Sequence, residues 1–279
     1  MEMKLFYAAL AVFFIGGSFL EYFLTCKEQK EYYSLPDTYS SIRLMLTGLL
    51  LDIGIKTIAI YLLVELSQYA PVSISYSWWG WLLCFIAWDF IFYWKHRMEH
   101  SVRFMWAIHV NHHSSPLLNL STSLRSGIFK SLYRYFFYIP VILAGFPPAM
   151  FMIVYGLGKL WAFFSHSQRL GRWGVMEKIL ITPAHHSVHH SCNKDNLNKN
   201  FGETLVIWDK LFGTFAETKE KLVFGIEEEV NHKNFYHVVM HEMNSMIKDI
   251  KATKNSKEKL MYLVGKPGWK PGTKNTIAK

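Results

Sequence analysis

Cysteine is nearly missing from this chain. Its three residues, Cys26, Cys84 and Cys192, stand far apart in 279 positions with no C-x-x-C pair. That excludes a disulfide framework and a thiolate metal site. Charge is scarce too: Asp, Glu, Lys and Arg make up 18% of residues, against about a quarter in ordinary soluble domains. There is no internal repeat, no nucleic-acid motif, and no haem-binding or flavin fingerprint. The net charge of +9 therefore points to no nucleic-acid partner, and any reductant would come from an electron-donor protein or a diffusing molecule.

What the chain has instead is apolar sequence in blocks. Residues 5–24, 44–66 and 76–94 each approach the ~20 residues that cross a bilayer. A fourth block, 132–164, is longer and contains Pro147-Pro148 near its middle. Proline breaks a helix, so this block reads as a hairpin of two helices of about 15 residues that dips in and returns. The first block follows Lys4, but it is longer than the apolar part of a signal peptide. It also lacks a small-residue cleavage site before Glu21-Tyr22, so it reads as a retained span.

The loops set the orientation. Residues 25–43 carry Lys27, Lys30 and Arg43, the 67–75 loop carries no charge, and the chain beyond 165 is rich in Lys and Arg. The positive-inside rule then places 25–43, 95–131 and 165–279 in the cytoplasm, where anionic headgroups attract basic segments. The chain reads as an all-α, multi-pass integral membrane protein. It would have three transmembrane helices, a Pro-broken hairpin and a cytoplasmic histidine-rich helical cap. Residues 1–217 would form the membrane-embedded domain and 218–279 a polar helical tail.

Ten of the 13 histidines fall between residues 96 and 190. His96 and His100 in "HRMEH" are four apart. His109, His112 and His113 in "HVNHH" follow an i, i+3, i+4 pattern, which His186, His189 and His190 repeat in "HSVHH". On a helix such residues lie within an arc of roughly 100°, so each group is expected to present its imidazoles to one point. His166, where the hairpin re-emerges, and His185 are additional candidates. A single zinc takes about four ligands, so this many imidazoles imply two ions. Neutral imidazole suits iron, zinc, copper and nickel alike. His237 and His241 also stand four apart but lie in the charged tail; they and His232 read as solvated residues.

Two other readings compete. "HRMEH" fits H-x-x-E-H, a zinc peptidase pattern in which the glutamate is general base, but it leaves the other groups unexplained. A metal-handling or transport protein would place its ligands near the midplane of the spans, whereas these groups gather beyond the span ends.

The order H-x-x-x-H, H-x-x-H-H, H-x-x-H-H among apolar spans resembles the fatty acid hydroxylase/sterol desaturase superfamily of membrane di-iron oxygenases. The flanks "DFIFYWKHRMEH", "NLNKNFGETLVIWDKLFGTF" and "GKPGWKPG" resemble it too, with Phe201 where the family has Tyr. "HHSSPLLNLSTSLR" is most similar to the alkylglycerol monooxygenase branch. The resemblance implies two Fe ions, dioxygen as co-substrate, a lipid substrate, and a reduced pterin as one candidate reductant. The metal ligands would be His96, His100, His109, His112, His113, His166, His186, His189 and His190. Some family hydroxylases carry a further histidine where this chain has Leu170. Asp89, seven residues before His96 on the same helix face, is the expected acceptor for a ligand's second ring nitrogen, with Glu99 and Asn111 as further candidates.

Overall fold

The computed structural model describes residues 2–228 and 230–272, with side chains from residue 12 onward. The side chain of Lys4 and the end of the tail, 273–279, lie outside these. Among the described residues the chain is helical, with two isolated antiparallel bridges and no strand.

Three long helices come first: α1 (Glu2–Lys27), α2 (Leu35–Ser67) and α3 (Trp78–Ser101). Pro36 stands in the first turn of α2, where a missing N–H costs nothing. The Ser77 hydroxyl caps α3 by accepting from the amide of Gly80. A one-residue break at Val102 separates α3 from α4 (Arg103–His113). The expected hairpin follows, but its arms are unequal. The first is short and irregular, α5 (Ser131–Arg134), a 3-10 turn and α6 (Ile139–Leu143), whereas the second is a single helix, α7 (Pro148–Ser165). Pro140 interrupts the first arm and Pro148 starts the second.

The hairpin tip is fixed to the uncharged loop before α3. Gly145 adopts φ +96°, and a Cβ there would lie 2.4 Å from the carbonyl oxygen of Val72, so only glycine fits. The Ile74 amide donates to the Gly145 carbonyl at 2.9 Å. The tip therefore lies at the start of α3, and both hairpin ends lie at the opposite, histidine-bearing end. Gly158 of α7 meets the ring of buried Trp88 on α3, where a Cβ would sit 2.0 Å from the indole. This close approach builds the core of Trp88, Phe92, Val141, Ile142 and Phe151.

By composition, one helix among the described residues is long and apolar enough to cross a membrane. It is α7, at 18 residues and mean hydropathy 1.3. It was expected as half of a shallow hairpin, but proline truncates the first arm and leaves the second as an unbroken apolar helix.

The remaining helices are α8 (Pro183–His190), α9 (Ile207–Leu211), α10 (Phe235–Ala252) and α11 (Ser256–Val264). Arg103 at the start of α4 holds Glu242 and Asp249 of α10 at 2.9 and 2.7 Å, and its amide donates to Gly265 beyond α11. The tail helices are thereby docked on the histidine-bearing α4.

Candidate metal centre

Nine histidines converge where the C-terminal end of α3 meets α4, the end of α7 and α8. Their nitrogens form two groups, each with ligand atoms within 4.8 Å of one another. One group is His96, His100, His109, His113 and His189; the other is His112, His166, His186 and His190. The groups abut, with the rings of His113 and His190 stacked at 4.4 Å between centroids.

This corrects the expectation that each sequence cluster serves one point. Residues i and i+4 of a helix differ by about 40° and residues i and i+3 by about 60° in the other direction. The i, i+4 pairs stay together: His109 with His113, His186 with His190. The i+3 member turns to the other group, so His112 leaves α4's pair and His189 leaves α8's. Each H-x-x-H-H motif thus supplies both groups and ties them together.

Within the groups the Nε2 atoms face each other. His109 Nε2 lies 3.2 Å from His96 Nε2 and 3.3 Å from His113 Nε2. His166 Nε2 lies 3.1 Å from both His112 Nε2 and His186 Nε2, and His186 Nε2 lies 3.1 Å from His190 Nε2. Several Nδ1 atoms face carbonyls, which accept only: His96 to Phe201 O at 2.8 Å, His166 to Ala162 O at 2.6 Å, and His189 to Lys199 O at 2.8 Å. The hydrogen of these neutral rings must therefore sit on Nδ1, leaving a lone pair at Nε2. Lone pairs converging at such separations repel unless a cation lies between them. Nitrogens bound at ~2.1 Å to one ion are about 3 Å apart, so the donor set fits two first-row ions.

Burial keeps the imidazoles neutral. His96, His109, His112, His113, His186 and His190 are held well below the ordinary histidine range, first by desolvation and then by the charge that neighbouring rings would carry or, for His109, by Lys130. His166 is pushed down to about 3, chiefly by burial.

The three expected acceptors behave differently from one another. Asp89 touches no histidine. Its carboxylate accepts from the amides of Thr204 and Leu205 at 3.0 and 3.1 Å and from Trp208 Nε1 at 2.9 Å. It therefore anchors the loop after α8, and the partner expected for it, His96, is oriented by a backbone carbonyl of that loop. Asn111 points its side chain to the Val239 carbonyl on α10. Glu99 does approach a ligand, with Oε2 3.7 Å from His109 Nδ1. It is also held by Lys95 and Lys130, each at 3.1 Å, and by the Tyr133 hydroxyl at 2.9 Å. Burial would raise the Glu99 carboxyl, but Lys130 and Lys95 outweigh it and hold it at about 2. A glutamate fixed by two ammonium groups is poorly suited to be a peptidase's general base, which counts against the H-x-x-E-H reading.

Asp209 was missed by the sequence analysis. Its buried carboxylate accepts from the amides of Phe201 and Gly202 at 2.8 Å and from the Thr214 hydroxyl at 2.7 Å. Asn200, with φ +54°, closes the same loop by donating to the carbonyls of His185 and Ala216. Together these residues shape the "NKNFG" turn whose carbonyls orient His96 and His189. The quoted "NLNKNFGETLVIWDKLFGTF" stretch was the available signal.

His185 lies outside both groups, with Nδ1 facing the Leu180 carbonyl at 3.2 Å and its ring edge-on to Phe215. Leu170 is half-exposed and leaves the second group at four histidines. His237 and His241 join neither group, although His241 is buried and not solvated. His232 lies 3.2 Å from Arg125, which pairs with Asp37 at 2.5 Å.

Replacing Asp89 by Asn should leave both histidine groups composed as before but loosen their supporting loop. A carboxamide cannot accept from three N–H donors without turning its own NH2 toward one of them. The expected cost is about 1–3 kcal/mol, read as a lowered thermal unfolding midpoint; an unchanged midpoint would show that Asp89 does not hold the loop.

A family model for fatty acid hydroxylases matches residues 81–214. An alkylglycerol monooxygenase of Xenopus tropicalis is 36% identical over 212 residues, 76% of this chain and 46% of that protein. The human alkylglycerol monooxygenase is also 36% identical, over 75% of this chain and 48% of its own length. An ornithine lipid hydroxylase of Rhizobium tropici is 33% identical over 46% of this chain and 39% of its own. The chain spans about half the length of the alkylglycerol monooxygenases it matches. No solved structure matches it. The matched residues are the ones that carry both histidine groups and the Asp89- and Asp209-anchored loop behind them. Likeness and geometry thus fall on the same part of the molecule, and the chain belongs to the fatty acid hydroxylase/sterol desaturase superfamily, on its alkylglycerol monooxygenase branch.

Proposed function

We propose that this protein is a membrane-bound, non-haem di-iron oxidoreductase that uses dioxygen to hydroxylate, desaturate or oxidatively cleave a lipid chain. The observation that carries the proposal is the pair of abutting imidazole groups, five and four histidines, seven of them buried. Iron bound there would supply dioxygen activation for attack on an unactivated C–H bond. The rest falls to the chain's own residues. His96, His100, His109, His113 and His189 would hold one ion, and His112, His166, His186 and His190 the other. The carbonyls of Phe201, Lys199 and Ala162 fix the rings of His96, His189 and His166. The apolar core between α3 and the hairpin keeps water from the approach.

Electrons would come from a donor protein or a diffusing reductant such as a reduced pterin. Residues 1–217 would form the oxygenase domain and 218–279 its clamped tail. Lipid mass spectrometry of cells with and without the protein tests the activity. A lipid that gains an oxygen, loses two hydrogens or loses an ether-linked chain is expected, and unchanged lipids would overturn it.

The proposal includes three spans, α1 to α3, with the hairpin entering from the histidine side. Exposed Leu50, Ile58 and Tyr61 on α2 and Trp78 and Trp79 at the start of α3 suit lipid contact and an interfacial aromatic belt. Single cysteines at Ser73, Ser101 and Glu220, all exposed, can be labelled with an impermeant thiol reagent after Cys26, Cys84 and Cys192 are replaced. Positions 101 and 220 should react from the cytoplasmic side and position 73 from the other. Reaction of all three from one side would end the three-span topology.

A further inference from the structure

The region between the five-histidine group and the hairpin holds more basic side chains than acidic ones. Lys95 and Lys130 share Glu99, at 3.1 Å each. Lys159 of α7 meets Glu203 at 2.7 Å. Among the described residues Arg134 of α5 has no direct carboxylate partner. Its Nη1 donates to the Tyr155 hydroxyl at 3.1 Å and its Nη2 to the Ser131 hydroxyl at 3.2 Å, and Ser131 in turn bonds Asp52.

These four cations form one cluster. Lys95 Nζ and Lys159 Nζ lie 4.5 and 4.8 Å from the centroid of the same ring, Phe92. Lys159 and Arg134 both reach Tyr155. Lys130 Nζ comes within 3.3 Å of His109 Nδ1, which places the cluster directly against the candidate metal centre.

Donor capacity is left over. An ammonium has three N–H groups, and Lys159 has one hydrogen-bonded partner, Glu203. Lys95 spends its two hydrogen bonds on the two oxygens of Glu99. Arg134 Nε is buried with no hydrogen-bond partner among the described residues. Four basic side chains thus face three carboxylates, one reached only through a serine. Lys159 and Arg134 also lie in the apolar hairpin, where an ionisable side chain is costly and marks a functional site by default. Bound metal would add further positive charge a few residues away. An oxyanion at this position would take up the unused donors.

We infer that Lys95, Lys159 and Arg134 bind the anionic headgroup, a carboxylate or phosphate, of the lipid whose chain is presented to the metal centre. This deepens the proposed function and rests on it for the lipid. Carboxylates and phosphates are matched by the arginine fork and by ammonium point charges. The Phe92 and Tyr155 rings between the cations provide the apolar wall along which the first carbons of the chain would lie.

The test is isothermal titration of the purified protein in phosphatidylcholine nanodiscs, with empty nanodiscs subtracted. The probes are dodecyl phosphate, dodecanol and inorganic phosphate. Wild-type protein should bind dodecyl phosphate at least ~10-fold more tightly than dodecanol, the size expected of charge-assisted hydrogen bonds. Inorganic phosphate should neither bind comparably nor compete. The R134Q/K159Q variant should lose the preference while its affinity for dodecanol stays the same. The charge-conserving R134K/K159R variant, which controls for folding, should keep most of it.

Equal affinities in wild type, or a preference that survives in R134Q/K159Q, would overturn the inference. So would inorganic phosphate binding as tightly as dodecyl phosphate, since the site would then be for a free anion. Chelator-stripped protein should retain the preference; its loss on stripping would place the anion on the metal and refute the cluster. Because this readout does not depend on turnover, a failure of the di-iron proposal would appear separately, as metal-free protein that still distinguishes the two amphiphiles.

Discussion

Purified protein is expected to carry close to two metal ions per chain, and substitutions in the two histidine groups should remove them one at a time. His186 belongs to the four-histidine group and His96 to the five-histidine group. His186→Ala should therefore bring the content toward one ion, and His96→Ala should do the same at the other position. The His112→Ala/His189→Ala double variant takes one nitrogen from each group and should lose both ions together with all turnover. The four-histidine group has no spare ligand, so His186→Ala should have the larger effect of the two single changes. Metal analysis of the isolated variants decides the matter independently of activity. Wild-type metal content and turnover in the double variant would sink the site assignment. Zinc in the preparation would not, because zinc stands above ferrous iron in affinity for such ligands and replaces it readily.

Asp209→Asn is expected to have a large effect at a distance. The carboxylate touches no histidine, yet it fixes the amides of Phe201 and Gly202 and the hydroxyl of Thr214. The turn it holds presents the carbonyls of Phe201 and Lys199 to His96 and His189. Both belong to the five-histidine group, whereas the ring of His166 in the other group is oriented by Ala162 within its own helix end. Loss of an orienting partner typically weakens metal binding ~10–100-fold. Competition with a chelator should therefore show one ion leaving Asp209→Asn protein about that much more readily, with the second retained as in wild type. Simultaneous weakening of both ions would mean that the substitution disturbs the fold and not the turn.

The two predictions depend on the sequence to different degrees. That eight histidines would gather, and that so many imply two ions, is legible from the spacing of "HRMEH", "HVNHH" and "HSVHH", because helical periodicity sets the angle at which each ring leaves its axis; His166, the ninth, lies outside these motifs. The return of the chain between residues 113 and 166 is also legible, since paired prolines cannot continue a helix. His112 and His166 meet at 3.1 Å as that return requires. The family likeness lies in the same stretches.

The partition of the rings was decided only in three dimensions. Spacing gives the direction of His112 relative to His109, but not that His96 of α3 meets His109 while His166 at the end of α7 meets His112. Asp89 illustrates the same limit: a carboxylate one helical face from His96 is a reasonable partner by register, yet the loop at 204–208 offers it three N–H donors and takes it. His96 then turns to a carbonyl of residue 201, and a backbone acceptor leaves no mark in residue type. The hairpin's unequal arms have a similar origin, because where a helix breaks depends on the contacts that fix Gly145 against Val72 as well as on proline. Local periodicity determined which residues could be ligands, and packing between distant segments determined which ligands belong together and what orients them.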